Sequence, residues 1–353
     1  MIFVKGYREE ILNYVIDNQE LLKKMRNKSC VITGAAGLIG SYIVDILTVA
    51  NEQLSLNCVV HAVDINETFM NSRFPKECSE TVKCHYADVN DDMLENMEVD
   101  FLIHAASNTS PADYATKPIA TMRTNIIGTD KLLGYCVRNK VKRFVFCSSV
   151  EAYGRNNGDV DDFNEDYSGY VNSNTLRAGY PSAKRAAEAL CNAYYEENKG
   201  LEFVIARIGR IYGPTIIDGD TKAPSQFIKN AVRGENIMMK SNGLQEFSYA
   251  YVGDCAIAIL YIMLQGKNAE AYNVADSKSK ILLRDFAKYS ALAGGTEVEF
   301  CEPTSIERQG YSKITKATMS VDKLESLGWS AKYDVQEGVK RTVEYLKQMK
   351  GIV

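Results

Sequence analysis

Tyr180 and Lys184 stand at positions i and i+4 of the run Gly179-Tyr180-Pro181-Ser182-Ala183-Lys184. On a helix that spacing puts both side chains on one face. An ammonium beside a phenol favours the phenolate and lowers its pKa from about 10. Such a phenolate can accept the proton of an alcohol while hydride leaves the same carbon, so the pair suits oxidation of a hydroxyl. A third polar group stands upstream in Phe146-Cys147-Ser148-Ser149-Val150-Glu151-Ala152-Tyr153-Gly154, where Ser149 can hydrogen-bond the reacting hydroxyl or the ketone formed from it. Tyr-x-x-x-Lys alone is common on helix surfaces, so its weight comes from what precedes it.

What precedes it is a place to hold a hydride acceptor. The run Thr33-Gly34-Ala35-Ala36-Gly37-Leu38-Ile39-Gly40 spaces glycines three residues apart directly after an apolar strand. Glycines there let the backbone turn tightly and approach a pyrophosphate, and a helix starting near Leu38 points its N–H groups at the phosphates. The second apolar run ends at Asp64, 24 residues beyond Gly40. A carboxylate there accepts hydrogen bonds from an adenosine ribose and repels a 2′-phosphate, which argues for NAD over NADP. Arg73 is the nearby basic residue that could argue the other way. The fourth run ends in His104-Ala105-Ala106, whose small residues let the backbone face a cofactor. The expected cofactor contacts are Gly34, Ala36, Gly37, Leu38, Ile39, Gly40, Asp64, Ala105 and Ala106, with Tyr180 and Lys184 serving both cofactor and chemistry.

These residues need a scaffold, and the apolar pattern predicts one. Short β-branched runs occur at 30–33, 58–63, 82–86, 101–105, 143–147 and 203–208, several of them separated by helical segments. Near-continuous apolar strands alternating with helices indicate a parallel sheet covered on both faces. Right-handed crossovers then make it a Rossmann-type, doubly wound α/β fold. Residues 7–26 read as an amphipathic helix ahead of the first strand, there to pack on the domain or to mediate dimerisation. The expected division is an N-terminal helical extension over 1–28 and an NAD-binding domain over 29–207. A mainly substrate-binding α/β region over 208–353 comes after them, partly interleaved with the first.

Composition excludes several classes. Forty-one basic against forty-five acidic residues give a net charge of −4, with neither a nucleic-acid footprint nor a polybasic membrane patch. No apolar stretch reaches membrane-spanning length, and no targeting segment is visible. Nine cysteines without Cys-x-x-Cys spacing read as reduced thiols of a cytoplasmic protein, and three isolated histidines offer no metal site.

Taken together, Gly34, Gly37, Gly40, Asp64, Ser149 and Tyr180-x-x-x-Lys184 resemble the extended short-chain dehydrogenases of the NAD-dependent epimerase/dehydratase kind. Asn125-Ile126-Ile127-Gly128-Thr129, Tyr212-Gly213-Pro214, Tyr251-Val252-Gly253-Asp254 and Leu327-Gly328-Trp329 fit the same family, so the resemblance spans about residues 29 to 345. It implies bound NAD, a sugar-nucleotide substrate and oxidation at the sugar C4. It places Asp88 and Val89 where the family grips the adenine. It also implies a homodimer paired through the helices near 114–137 and around Tyr180.

The resemblance narrows further around Glu151. Dehydratases and UDP-glucuronate decarboxylases of the family carry an acid/base glutamate there, whereas 4-epimerases usually carry a small or neutral residue. The run from Arg177 to Glu188 is similar to the decarboxylases, with an arginine before the tyrosine and Lys-Arg-x-x-Glu after it. Val150 occupies the position where dTDP-glucose 4,6-dehydratases have an aspartic acid, and valine cannot donate a proton. A decarboxylase or dehydratase is therefore expected, with a 4-epimerase as the alternative and a non-catalytic NAD sensor as a third reading. Two positions depart from the family: Arg210 replaces a frequent asparagine, and Phe247 replaces an arginine expected near the substrate's diphosphate or ribose. Arg210 is the candidate to supply the missing charge, with Arg308, Lys313 and Lys316 as further cations.

Overall fold

The computed structural model describes residues 4–74, 80–91, 97–109, 116–302 and 315–350. Its centre is a seven-stranded, wholly parallel sheet. In chain order the strands are β1 (Ser29–Thr33), β2 (Val59–Asp64), β3 (Val82–Tyr86), β4 (Phe101–His104), β5 (Arg143–Ser149), β6 (Phe203–Ile208) and, after three short strands elsewhere, β10 (Glu270–Val274). Their order across the sheet is β10-β6-β5-β4-β1-β2-β3. The alternation predicts the first six within two residues at each end; the seventh is an addition contributed by the C-terminal part of the chain.

Successive strand residues face opposite sides, and each side has its own core. Cys30, Ile32 and Val145 face helices α3 (Leu38–Leu54) and α8 (Val252–Gln265). Val31, Phe144 and Phe146 face α5 (Pro118–Asn139) and α6 (Gly179–Glu197). Both faces are buried along the five inner strands, which explains why those sequences read as near-continuous apolar runs, while the edge strand β3 is partly exposed. The strand order reverses between β1 and β4, and such a switch point opens a crevice at the C-terminal ends of the strands.

Beyond β6 the chain builds a smaller layer at that end. Strands β7 (Arg210–Tyr212), β9 (Glu246–Tyr251), β11 (Lys280–Leu282) and β13 (Lys316–Ala317) form one small sheet; β8 (Ile237–Met239) pairs with β12 (Val298–Phe300). Helices α7 (Ala223–Arg233), α9 (Leu283–Gly294) and α11 (Val335–Lys350) cover them. No helix among the described residues is long and apolar enough to cross a membrane.

The segment read as one helix over 7–26 is divided: α1 (Lys5–Asp17) stops at Asn18, and α2 (Gln19–Leu22) and a 3-10 turn at Lys23–Met25 come next. At that end the Asn18 backbone N–H and side-chain amide both donate to the Tyr14 carbonyl, at 3.2 and 2.8 Å. Helix α1 is fastened by buried carboxylates. Glu10, 1% exposed, accepts from Tyr42 at 2.7 Å, Tyr251 at 2.6 Å and Tyr345 at 3.1 Å, with Arg341 at 3.4 Å. Tyr7 donates to Asp45 at 2.6 Å and Tyr14 to Asp254 at 2.9 Å. A Cβ on Gly253 would lie 2.4 Å from the Tyr14 ring, so the glycine makes room for the docked helix.

Replacing Glu10 by alanine would take the acceptor from three buried tyrosine hydroxyls and one carboxylate from Arg341, which keeps Glu337 at 2.8 Å. We expect Glu10→Ala to destabilise the fold by about 3 kcal/mol. A urea midpoint matching wild type would show that the network contributes nothing to stability.

Candidate active site

The first wall of the crevice is the glycine loop. Gly34 has φ +68, and a Cβ there would sit 2.8 Å from the Ala106 nitrogen and Cα. The loop after β1 thus lies against the Ala105–Ala106 backbone after β4, across the switch point, and a side chain at 34 would force them apart. At Gly40 an added Cβ would come within 2.3 Å of the Gly34 carbonyl oxygen. The tight turn therefore continues directly into α3, whose N-cap is Gly37 and which has no side-chain cap. The first-turn N–H groups of Leu38, Ile39 and Gly40 remain for an anion, as pyrophosphate binding requires.

Asp64 closes the end of β2. Its Oδ2 accepts from the Ala36 nitrogen at 3.1 Å, and its Oδ1 accepts from the Asn66 nitrogen at 3.0 Å. These bonds fix the carboxylate beside the glycine loop while leaving lone pairs for a ribose. Arg73 does not compete, because its guanidinium is buried and committed to Asp45 at 2.9 Å. Asp88 holds a turn by accepting from the Asn90 nitrogen at 2.9 Å and its side-chain amide at 2.8 Å. Val89 is buried against Gly128, where an added Cβ would meet its methyl at 2.7 Å. Together these residues fit a dinucleotide: an anion-accepting helix start, a carboxylate at the end of β2 beside the glycine loop, and small residues where backbones meet.

The second wall carries the residues read as catalytic candidates. Helix α6 begins at Gly179 with Pro181 in its first turn, where proline costs no hydrogen bond. The helix buries both Tyr180 and Lys184 against the sheet. Lys184 Nζ donates to the Cys147 carbonyl at 2.7 Å, lies 4.7 Å from the centre of the Phe146 ring and 5.7 Å from that of Tyr180. Burial lowers the Lys184 pKa to about 8, and it raises the Cys147 thiol to about 12. His104, at the end of β4, is pulled down to about 3 by burial and by Lys184, so it is neutral. Thr33 shares a 2.9 Å hydrogen bond with His104 Nδ1, which ties β1 to β4 just below the crevice.

Ser149 ends β5, and its Oγ accepts from the Glu151 nitrogen at 3.3 Å, capping a 3-10 turn over Val150–Tyr153. The turn carries Glu151 into the site. Its side chain is 10% exposed and pairs with Arg177 at 3.0 Å, three residues before Tyr180. Ser149, Glu151, Tyr180 and Lys184 are thus brought together at the C-terminal edge of the sheet.

Arg210 is close by, since β6 places Ile208 opposite Ser149 and β7 begins two residues later. Its guanidinium lies 4.5 Å from the centre of the Phe247 ring. Two buried polar atoms there lack a hydrogen-bond partner among the described residues: Arg210 Nε and the Tyr249 hydroxyl, and Tyr249 is opposite Arg210 in the β7–β9 register. Lys222 joins them, donating to Thr109 at 3.1 Å and pairing with Asp220 at 3.6 Å. Its pKa is lowered by burial first, raised by Asp220 and lowered by Arg210, and the charge of Glu151 also reaches it. The sequence shows Lys222 only as part of a polar loop; nothing in it reveals that the side chain turns inward. Lys316 lies on β13 beside β9, opposite Glu246. Arg308 and Lys313 fall outside the described residues.

Comparison with known proteins gives a consistent picture. The family model described as "NAD dependent epimerase/dehydratase family" matches residues 30–275. The chain is 30% identical to UDP-glucuronic acid decarboxylase 6 of Arabidopsis thaliana, over 92% of this chain and 91% of that protein. It is 29% identical to UDP-glucuronic acid decarboxylase 1 of Danio rerio, over 93% and 75%. Among solved structures it resembles the UDP-glucose 4-epimerase of Thermotoga maritima, with a TM-score of 0.78 and 24% identity over 91% of this chain and 99% of that one. It also resembles an epimerase of Methanothermobacter thermautotrophicus, with a TM-score of 0.81 and 19% identity over 94% and 96%. At these identities the structural likeness establishes the fold alone.

The position of Asp64 yields a direct test. Asp64→Ala is expected to weaken NAD⁺ by about 1–2 kcal/mol, roughly five- to thirtyfold in Kd, the scale of a charge-assisted hydrogen bond. Titrating cofactor-free protein with NAD⁺ and NADP⁺ checks it. Wild-type protein that bound NADP⁺ as tightly as NAD⁺ would remove the role given to this carboxylate.

Proposed function

Because the chain belongs to the NAD-dependent epimerase/dehydratase family and is an NAD-dependent enzyme, we propose that it acts on a sugar nucleotide by transient C4 oxidation followed by decarboxylation, with UDP-glucuronate as substrate. The observation that carries the reading is Glu151. It is a nearly buried carboxylate two residues from Ser149, held by Arg177 and facing the segment that carries Tyr180.

Bound NAD supplies the hydride acceptor for C4 and afterwards the donor. Tyr180, as phenolate, takes the proton of the C4 hydroxyl as its C–H bond breaks, and the Lys184 ammonium favours that phenolate electrostatically. Ser149 donates a hydrogen bond to the oxygen as it becomes a ketone. The carboxylate on the neighbouring carbon is then β to a carbonyl. Its C–C bond breaks, the electron pair passes into the C4 enolate, and carbon dioxide leaves. Glu151 and Arg177 steer that carboxylate and supply a proton path to the carbon left behind. In a 4-epimerase the ketone only turns over and is reduced again, and no such group is needed.

Arg210 is proposed to meet the diphosphate. A guanidinium flat on an aromatic ring keeps its N–H edge free for phosphate oxygens. Phe247 leaves the space in which Arg210 lies, and Tyr249 offers a further donor. We place Arg308 and Lys313 with it as candidate substrate cations, and Asp88, Val89, Ala105 and Ala106 with the glycine loop as cofactor contacts. The division into 1–28, 29–207 and 208–353 matches these roles, with β10 returned to the cofactor sheet. A homodimer through α5 and α6 is supported by exposed Ile119 and Met122 on α5 and Leu176 just before α6, which are 74%, 37% and 70% exposed. The eight described cysteines are free thiols, which suits the cytoplasm.

Incubation with a panel of sugar nucleotides, read by mass and NMR, tests the reading. Loss of carbon dioxide from UDP-glucuronate is expected; loss of water would indicate a dehydratase, and an unchanged mass with a new isomer would promote the 4-epimerase alternative. Glu151→Gln should leave C4 oxidation partly working and stall the decarboxylation step, so that reduced nicotinamide absorbance and a 4-keto sugar accumulate. Ordinary turnover in that variant would exclude Glu151 from the chemistry. Arg210→Gln should weaken UDP itself by about tenfold, the scale of one lost charged contact; equal binding of UDP by variant and wild type would place the diphosphate elsewhere.

A further inference from the structure

Beneath the site lies a charged pair that the proposed chemistry does not use. Glu188 is on α6 one turn beyond Lys184, and Arg207 is on β6. The pair is largely buried, with side chains 11% and 16% exposed. Arg207 grips the carboxylate with both edges of its fork, Nη2 to Oε2 at 2.7 Å and Nε to Oε1 at 3.1 Å. Ser148, immediately before Ser149, donates its hydroxyl to the same Glu188 Oε1. On the far side of Glu151 the arginine reaches again: its Cζ lies 4.9 Å from the centre of the Tyr153 ring. Tyr153 in turn donates to Asn273 Oδ1 on β10 at 2.6 Å. Arg207 Nη1 donates to the Glu165 carbonyl at 2.6 Å, and the Glu165 side chain accepts from the Asn273 nitrogen at 2.8 Å.

We infer that Glu188 and Arg207 are positioning residues that set the distance between the Ser149–Glu151 turn and the Tyr180–Lys184 helix face, and that Glu188 is the anion that keeps the Lys184 ammonium in place. The positioning role comes from what the pair holds. It fixes the chain at Ser148 and at Tyr153, one residue before Ser149 and two after Glu151, and it fixes α6 at the turn after Lys184. Those are the two bodies whose separation decides whether a substrate hydroxyl can touch Ser149 and Tyr180 together. A buried, bidentate ion pair is not needed for stability alone, since apolar residues of similar volume often serve as well.

The electrostatic role comes from the groups around Lys184. Facing it are Cys147 on β5, His104 on β4, and Tyr180 and Glu188 on its own helix. The thiol and the imidazole are neutral at pH 7, because burial raises the one and lowers the other. Glu188, paired with Arg207, is the carboxylate of the set, and it opposes the burial that draws the lysine down to about 8. Removing that charge lowers the lysine pKa further, so the ammonium is lost at lower pH. The alkaline limb of the rate profile then moves toward acid.

The inference rests on the reading of Ser149, Tyr180 and Lys184 as the oxidation machinery, so Tyr180→Phe is measured alongside. The enzyme with its NAD is assayed on UDP-glucuronate for kcat, KM and pH profile, with melting temperature recorded for each variant. Tyr180→Phe should lose at least about a hundredfold in turnover. Glu188→Gln should lower kcat about ten- to a hundredfold with little change in KM, and shift the alkaline limb about half to one pH unit toward acid. Arg207→Lys keeps the charge but not the fork, so kcat should fall while the limb stays. The apolar pair Glu188→Leu/Arg207→Met should melt near wild type yet remain slow, with the shifted limb. Wild-type turnover and an unmoved limb in Glu188→Gln, or full turnover in the apolar pair, overturns the inference while leaving the site reading standing. Undiminished turnover in Tyr180→Phe overturns both.

Discussion

The Lys184 ammonium on the Cys147 carbonyl is the joint on which the site is hung. It fastens a helix face to the end of a strand at a depth where water cannot replace the bond. Ser149 is two residues along that strand and Tyr180 one turn back along that helix, so their relation is fixed by a contact between their neighbours. A desolvated cation is expensive to bury, and this one is tolerated because the carbonyl, the Phe146 ring and the Glu188 carboxylate surround it. The same burial that strains the lysine makes its charge act strongly on the phenol beside it. In the proposed reaction, stability given up locally becomes a field at the Tyr180 hydroxyl.

Around that joint the fold separates two tasks. The cofactor side is built from backbone: glycines, alanines and a helix start, where almost any side chain would collide. The side proposed to meet the substrate is built from long polar side chains delivered by short strands and loops. Arg210 and Phe247, the two departures from the family pattern, lie there. The guanidinium lying on the phenyl ring at 4.5 Å shows how one departure accommodates the other.

The sheet was legible where side chains report burial on both faces, as in Val59–Asp64 or Phe203–Ile208. Strand β10 was not, because Glu270-Ala271-Tyr272-Asn273-Val274 mixes polar residues whose partners, Lys323 and Phe163 among them, come from distant segments. The placement of Tyr180, Lys184 and the glycine loop was readable because it depends on spacing within one turn or one loop. Lys222 was not, since a lysine in a polar loop looks the same whether it points to water or into a cleft. The break at Asn18 was equally hidden: it depends on a side chain capping its own helix, while the apolar spacing continues past it.

The clasp on helix α1 has a consequence for how this chain is made. Glu10 leaves the ribosome well ahead of its partners Tyr251, Arg341 and Tyr345, which are 241, 331 and 335 positions later. Until those residues have been synthesised, α1 has an acid intended for burial and no complete pocket to receive it. Domains generally fold as they emerge, so the cofactor sheet can assemble while the first helix waits. Its docking is then a late, long-range closure, delayed by loop entropy. Helix α1, translated before the sheet it packs on, docks after it.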